Sequence, residues 1–253
     1  MKSPKKILVG FVALLVLTLS LIIGANSWKS GLVVSKIVVA GARVVDVNEI
    51  IQLAHVKPGT KMYELDLMVI QRDVVSHHFL KDVVVERDLP STLKISVVER
   101  SPIAMVTGNE LLYLDSEGVV LPHSLSHEIF DLPVISNMPS GVKMSVGSIV
   151  QHPDVAEALS ILSTAKLVNK ELYHLISEVR LRNGGDLIFF TADGGVPVLF
   201  GRGNPAEKLL RLEAFWADVI HGHGAQNIQY IDLRYDDQVI AKWTSGTKPS
   251  RTL

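Results

Sequence analysis

The sequence predicts an α+β protein: a single N-terminal transmembrane helix, then a small β-α-α-β-β domain and a larger mixed-sheet domain with two helices. Three observations predict it. One uncharged apolar run stands near the N-terminus, segments of strand period and helix period interleave after it, and turn residues separate them.

From Ile7 to Ala25 the chain runs nineteen residues without a charge. As a helix this stretch is about 28 Å long, close to the hydrocarbon thickness of a bilayer. Leu8, Phe11, Leu14, Leu15, Leu17, Leu21 and Ile22 are its expected lipid-facing anchor residues. Thr18 and Ser20 fit within it because their hydroxyls can bond back to carbonyls of the preceding turn. A cleavable signal is the competing reading. It fits less well, since the apolar run exceeds a usual signal core and the best cleavage candidate places Ile23 where a small residue is wanted. Lys2, Lys5 and Lys6 crowd the tail of residues 1–6, which predicts a cytoplasmic N-terminus and an exported remainder. Trp28 suits the outer interface.

The first exported domain is expected at residues 35–102. Lys36 to Ala40 forms a β-branched strand closed by Gly41. Asp46, with Glu49 three residues on, has the spacing of a capping box, and Val47, Ile50, Ile51 and Ala54 share a helical face. Lys57-Pro58-Gly59-Thr60 is a turn. Asp66 can cap a second helix whose face carries Leu67, Ile70, Val74 and Val75. Two alternating strands follow, Val83 to Asp88 and Leu93 to Arg100, joined through Leu89-Pro90-Ser91-Thr92. The order gives two helices on one face of a small mixed sheet.

The second domain is expected at residues 103–243, followed by a polar tail at 244–253. Ile103 to Val106 is a strand, and Leu111 to Val120 a hairpin with an Asp-Ser-Glu-Gly turn. In the short strand from Phe130 to Ile135, Pro133 suits a sheet edge. A helix spans Asp154 to Val168. Strands follow at Ile176–Leu181, Asp186–Thr191 and Val196–Phe200, then a helix from Pro205 to Ile220. Ile228–Arg234 and Gln238–Trp243 close the domain. The whole is too short, and too broken by helices, for a membrane barrel.

The phrases "LPSTLKISVVERSPIA" (Leu89 to Ala104), "DLPVI" (Asp131 to Ile135) and "YIDLRYDDQVIAKW" (Tyr230 to Trp243), with a single anchor before them, carry a resemblance. In this order of parts the chain resembles the FtsQ/DivIB family of bacterial cell-division proteins. The resemblance identifies the first exported unit as a POTRA domain and the second as the family's β domain. It implies an inner-membrane, single-pass protein of the division septum, with its C-terminus in the periplasm. Its task would be to link early and late division proteins. It also implies that the terminal strand region receives FtsB of the FtsB–FtsL pair, through Arg234, Tyr235, Asp236, Val239, Ile240, Ala241 and Trp243. From the residues alone, Tyr235 and Trp243 read more simply as packing on the domain's own core. Asp237 and Gln238 depart from the family's small turn residues and make a bulkier turn.

A search for chemistry points away from an enzyme. Gly201-Arg202-Gly203-Asn204-Pro205-Ala206 matches a dinucleotide fingerprint. Asn204 as N-cap, Pro205 at the first helical position and Glu207 beyond explain the same residues as helix punctuation, and no repeated parallel βαβ units accompany them. His77-His78 and His221-Gly222-His223 lack a third ligand at useful spacing, so solvation of helix ends is the simpler role. Asp232, Asp236 and Asp237 read as a solvated strand edge and turn. No serine-hydrolase elbow or zinc-protease motif occurs. There are no cysteines, and the net charge of −1 offers no basic stripe for nucleic acid. The expectation is no catalytic residue, cofactor, metal or small-molecule substrate, with protein partners and the lipid bilayer instead. The alternative is a POTRA-bearing receptor or chaperone of an export or assembly system, although such proteins tend to carry several POTRA units or a barrel.

Overall fold

The computed structural model describes residues 4–107, 110–123, 130–182, 184–220 and 224–244. His221, His223, residues 1–3 of the tail and residues 245–253 lie outside these, as does the Leu8 side chain. The chain divides into two compact units, residues 1–99 and 100–253.

The first unit opens with α1 (Pro4–Ser30). Its stretch Gly10–Lys29 has a mean hydropathy of 2.0 and, among the described residues, none buried, so the helix is long and apolar enough to cross a membrane. Phe11, Leu14, Leu15, Leu17, Leu21 and Ile22 are each more than half exposed. Thr18 Oγ1 and Ser20 Oγ donate to the carbonyls of Leu15 and Leu17, both at 2.9 Å. These bonds satisfy the two hydroxyls inside an apolar helix. Trp28 lies in the last turn of this helix.

After α1 come β1 (Lys36–Ala40), α2 (Val47–Leu53), α3 (Leu67–Val75), β2 (Leu80–Asp88) and β3 (Thr92–Glu99). The sheet order is β1-β3-β2, with β1 parallel and β2 antiparallel to β3. Ile50, Ala54, Ile70, Val74, Phe79, Val83, Leu93, Ile95 and Val97 form the core. Val47 and Val75 are exposed, so the buried stripe of each helix is narrower than its apolar pattern. Asp46 accepts from the Asn48 amide at 2.6 Å, but the reciprocal half of the expected capping box is missing. Glu49 instead lies 3.4 Å from Nε2 of His77. His77 is buried and its Nδ1 accepts from the Phe79 amide at 3.2 Å, which corrects its reading as a solvated helix-end residue.

Glu99 ends β3. Its carboxylate accepts the amides of Arg43, Val44 and Val45 at 2.9–3.1 Å, tying the end of β3 to the loop after β1. Gly41 turns that loop at φ +93°, where an added Cβ would stand 2.1 Å from the Val97 carbonyl oxygen. No other residue fits there.

The second unit contains β4 (Pro102–Thr107), β5 (Leu111–Asp115), β6 (Val120–Pro122), β7 (Val134–Ser136), α4 (Pro153–Val168) and α5 (Lys170–Leu175). Then come β8 (Ile176–Arg180), β9 (Leu187–Thr191), β10 (Pro197–Gly201), α6 (Pro205–Phe215) with a π-helical turn (Trp216–Ile220), β11 (Ile228–Asp232) and β12 (Ile240–Trp243). One sheet of nine strands runs β12-β11-β10-β9-β8-β7-β4-β5-β6 and mixes parallel and antiparallel pairs. The expected edge position of Pro133 is corrected. β7 is interior, between β8 and β4, and Pro133 precedes the strand, so its missing N–H falls off the ladder while its carbonyl accepts Met105 N–H at 2.9 Å.

Helices α4 and α6 lie side by side and point the same way. Gly203 near the start of α6 meets Glu157 near the start of α4, and Asn169 at the end of α4 meets Glu213 near the end of α6. A single core binds them to the sheet, with Ile161, Leu162, Phe189, Phe200, Leu209 and Leu212 fully enclosed. Each such side chain contributes about 1.5–3 kcal/mol by leaving water.

Candidate functional site

The expected partner residues belong to one hairpin. β11 and β12 pair antiparallel with Tyr230 opposite Lys242, Ile231 opposite Ala241 and Asp232 opposite Ile240. β12 has β11 as its neighbour on one side and, among the described residues, ends the sheet on the other. Side chains alternate across the strand. Val239, Ala241 and Trp243 are half-buried against the domain core, while Ile240 and Lys242 face outward. Tyr235 is half exposed and Asp236 exposed in the connecting loop. The loop is held by Arg211, whose Nη1 donates to the Tyr235 carbonyl at 2.9 Å, and by Asp237 in the left-handed region at φ 60°. The structure therefore gathers the seven residues in sequence but presents them on different faces.

Arg234 is engaged internally. Its Nε and Nη2 donate to the two carboxylate oxygens of Asp232 at 2.9 and 2.7 Å, and its Nη1 to Asp186 at 2.9 Å. Asp232 is buried, which corrects its reading as a solvated edge residue. The Arg234 hydrogen bonds hold the Asp232 carboxyl below the usual range against the opposing effect of burial.

This pair rests on the Gly201-to-Pro205 loop, whose glycines serve packing. At Gly201, φ +73°, an added Cβ would lie 2.9 Å from Cγ of Arg234, so glycine lets the arginine stem pass. The Gly203 amide donates to Glu157 at 2.7 Å, so the helix N-terminus is faced by the chain's own carboxylate. Asn204 does not cap with its side chain as expected. It sits at φ 50°, ψ 46°, outside the extended conformation capping requires, and Pro205 starts the helix. Lys208, buried on α6, donates to the carbonyls of Phe200 at 3.0 Å and Arg202 at 2.7 Å. Burial, then the nearby Arg211 charge, lowers its pKa. Arg202 pairs with buried Asp154, which also accepts the Gly184 amide at 2.7 Å. Sequence reasoning missed Asp154, Glu157, Asp186 and Lys208. Lys208 alone left a signal, a cation beside Leu209 and Leu212 on an otherwise apolar face.

Residues 104–234 match the family model described as cell division protein FtsQ/DivIB, C-terminal. Residues 32–100 match that of the POTRA domain, FtsQ-type. The chain belongs to the FtsQ/DivIB family.

Relatives named cell division protein FtsQ extend the likeness beyond either domain. The protein of Geobacter sp. (strain M21) is 31% identical over 235 residues, covering 87% of this chain and 82% of the relative. That of Geotalea daltonii is 30% identical over 203 residues, covering 77% and 70%. That of Rhodothermus marinus is 29% identical over 222 residues, covering 85% and 79%. Membership in FtsQ/DivIB makes this a cell-division protein, and the apolar α1 supports a single-pass membrane protein. The C-terminal family match stops at Arg234, so the loop from Tyr235 and the whole of β12 lie past it.

Proposed function

We propose that the chain is a divisome assembly protein that binds other membrane proteins of the septum and carries no catalytic residue. Its tail of residues 1–6 lies in the cytoplasm, and the POTRA and β domains work in the periplasm. FtsB and FtsL, as the FtsB–FtsL complex, are its partners. Confinement to the bilayer by α1 raises the effective concentration of these partners, so modest contacts suffice.

The observation that carries this reading is the placement of β12 at the end of the nine-stranded sheet with Ile240 and Tyr235 exposed beside it. A terminal strand offers backbone N–H and C=O groups to an incoming strand, and alternate side chains give that pairing its selectivity. Tyr235 supplies a rigid aromatic anchor of the kind that dominates interfaces. Trp243 contributes from below, since it packs half-buried on the domain core.

Co-purification of the full chain with FtsB–FtsL from detergent-solubilised membranes tests the reading. Tyr235→Ala combined with Ile240→Lys, both on exposed side chains, should abolish recovery while thermal stability holds. A lysine on an edge strand is how sheets discourage further pairing. Undiminished recovery by that double variant would reject the β12 assignment. Normal septation after depletion of the protein would reject the division role itself.

A further inference from the structure

The helical side of the β domain carries a second surface unconnected with β12. Between α5 and the π turn lies a groove of about 440 Å³. Leu172, Leu175 and Trp216 supply its apolar lining, and Glu171, Asp193 and Glu213 its charges. Among the described residues that line it there is no lysine or arginine. Local structure produces this arrangement. Asn169 ends α4 and starts α5, its Oδ1 accepting the Glu171 amide at 2.9 Å and its Nδ2 donating to Glu213 at 2.5 Å. That junction holds the Glu213 carboxylate in the lining and starts the turn of helix that carries Glu171. The change from α to π at Trp216 lengthens the hydrogen-bonded turn by one residue, a rare departure that is frequent at functional sites. Trp216 is left half-buried in the groove wall while Ala217 beside it is exposed.

We propose that this groove docks a partner polypeptide segment in which an apolar side chain is flanked by lysine or arginine. The apolar lining would enclose the anchor, and the three carboxylates would select and orient the cations. An acidic or uncharged segment would bring no compensation for the carboxylates it covers. The site is separate from the β12 edge, so each stands or falls alone.

The test uses the full chain in phosphatidylcholine nanodiscs, with empty nanodiscs as blank. The probe is a fluorescein-labelled synthetic peptide of leucines flanked by lysine and arginine, and a second probe replaces every basic residue by glutamate. The basic probe should bind saturably and the acidic one should not. Ala217→Arg, which puts bulk and like charge at the exposed mouth, should weaken binding at least about tenfold. Glu171→Lys with Asp193→Lys, both exposed, should do the same and confer binding of the acidic probe. Thermal melting checks that each variant folds. Ile240→Lys should leave the basic probe's affinity unchanged. Equal binding of both probes, or binding indifferent to both groove variants, would overturn the proposal. So would binding that appears only after removal of residues 245–253, which would give the groove to the chain's own tail.

Discussion

Arg234 grips Asp232 through two parallel hydrogen bonds, and the aspartate is buried while the arginine remains partly in water. The expected partner contact at Arg234 is thus also a structural clamp at the end of β11. Arg234→Ala should cost about 1–3 kcal/mol, because it strands a buried carboxylate, with water at the exposed side limiting the loss. The melting temperature should fall by about 2–4 °C per kcal/mol for a domain of this size. The sign of the pH dependence follows from the lowered Asp232 pKa. This contribution is complete above the unfolded value of about 4 and disappears as pH falls through the folded value. In Arg234→Ala the acid sensitivity should shrink, and melts in acetate buffers against neutral buffer would measure it.

His77 gives the POTRA domain an opposite kind of titrating group. Burial lowers its pKa, Glu49 works against that shift, and His78 adds to it. The Phe79 amide already occupies Nδ1, so adding a proton there breaks a hydrogen bond. A histidine with a lowered folded pKa leaves the unfolded state holding more protons. Stability is therefore complete above the unfolded value of about 6.5 and declines as pH falls toward the folded value. His77→Asn keeps an acceptor for Phe79 and removes the titration. Melts between about pH 8 and about pH 5 should show a flatter slope for this variant.

The strands were legible wherever one face is buried, because alternation in β3 and β9 is a local property. Where each strand sits in the sheet was not. β7 is three residues long and acquires its interior place from partners about thirty residues before and forty after it, which no local pattern encodes. Helix α5, six residues, is too short to show a period. In the hairpin both strands were legible, but the irregular register between Ile228 and Tyr230 decides which face each β12 residue meets. The clamp on Arg234 was hidden because Asp186 and Gly201 reach it from far along the chain.

Glu99 illustrates that kind of long-range dependence in a testable form. Its carboxylate serves three consecutive amides more than fifty residues earlier in the chain. Glu99→Ala leaves them without an acceptor, and Val45 among them is buried. The expected cost is about 2–3 kcal/mol, read as a lower urea midpoint for the POTRA transition. Glu99→Gln retains one carbonyl oxygen and should fall between. Equal midpoints for Ala and wild type would remove Glu99 from the account of this loop.

The lack of native cysteine makes membrane sidedness directly measurable. Lys2, Lys5 and Lys6 precede the uncharged run from Ile7 with no acid among them, a distribution that on the proposed topology would hold the tail in the cytoplasm. Lys29 and Lys36 on the far flank oppose it, but long folded domains translocate largely regardless of their own charge. Single cysteines at Ser3→Cys and Ser101→Cys, the latter on an exposed side chain, should then behave differently in intact spheroplasts. A membrane-impermeant maleimide should label position 101 and reach position 3 only after detergent. Replacing all three lysines by glutamate should weaken the bias and raise labelling at position 3. The reverse pattern in the unaltered tail would place both domains in the cytoplasm and remove the periplasmic reading with them.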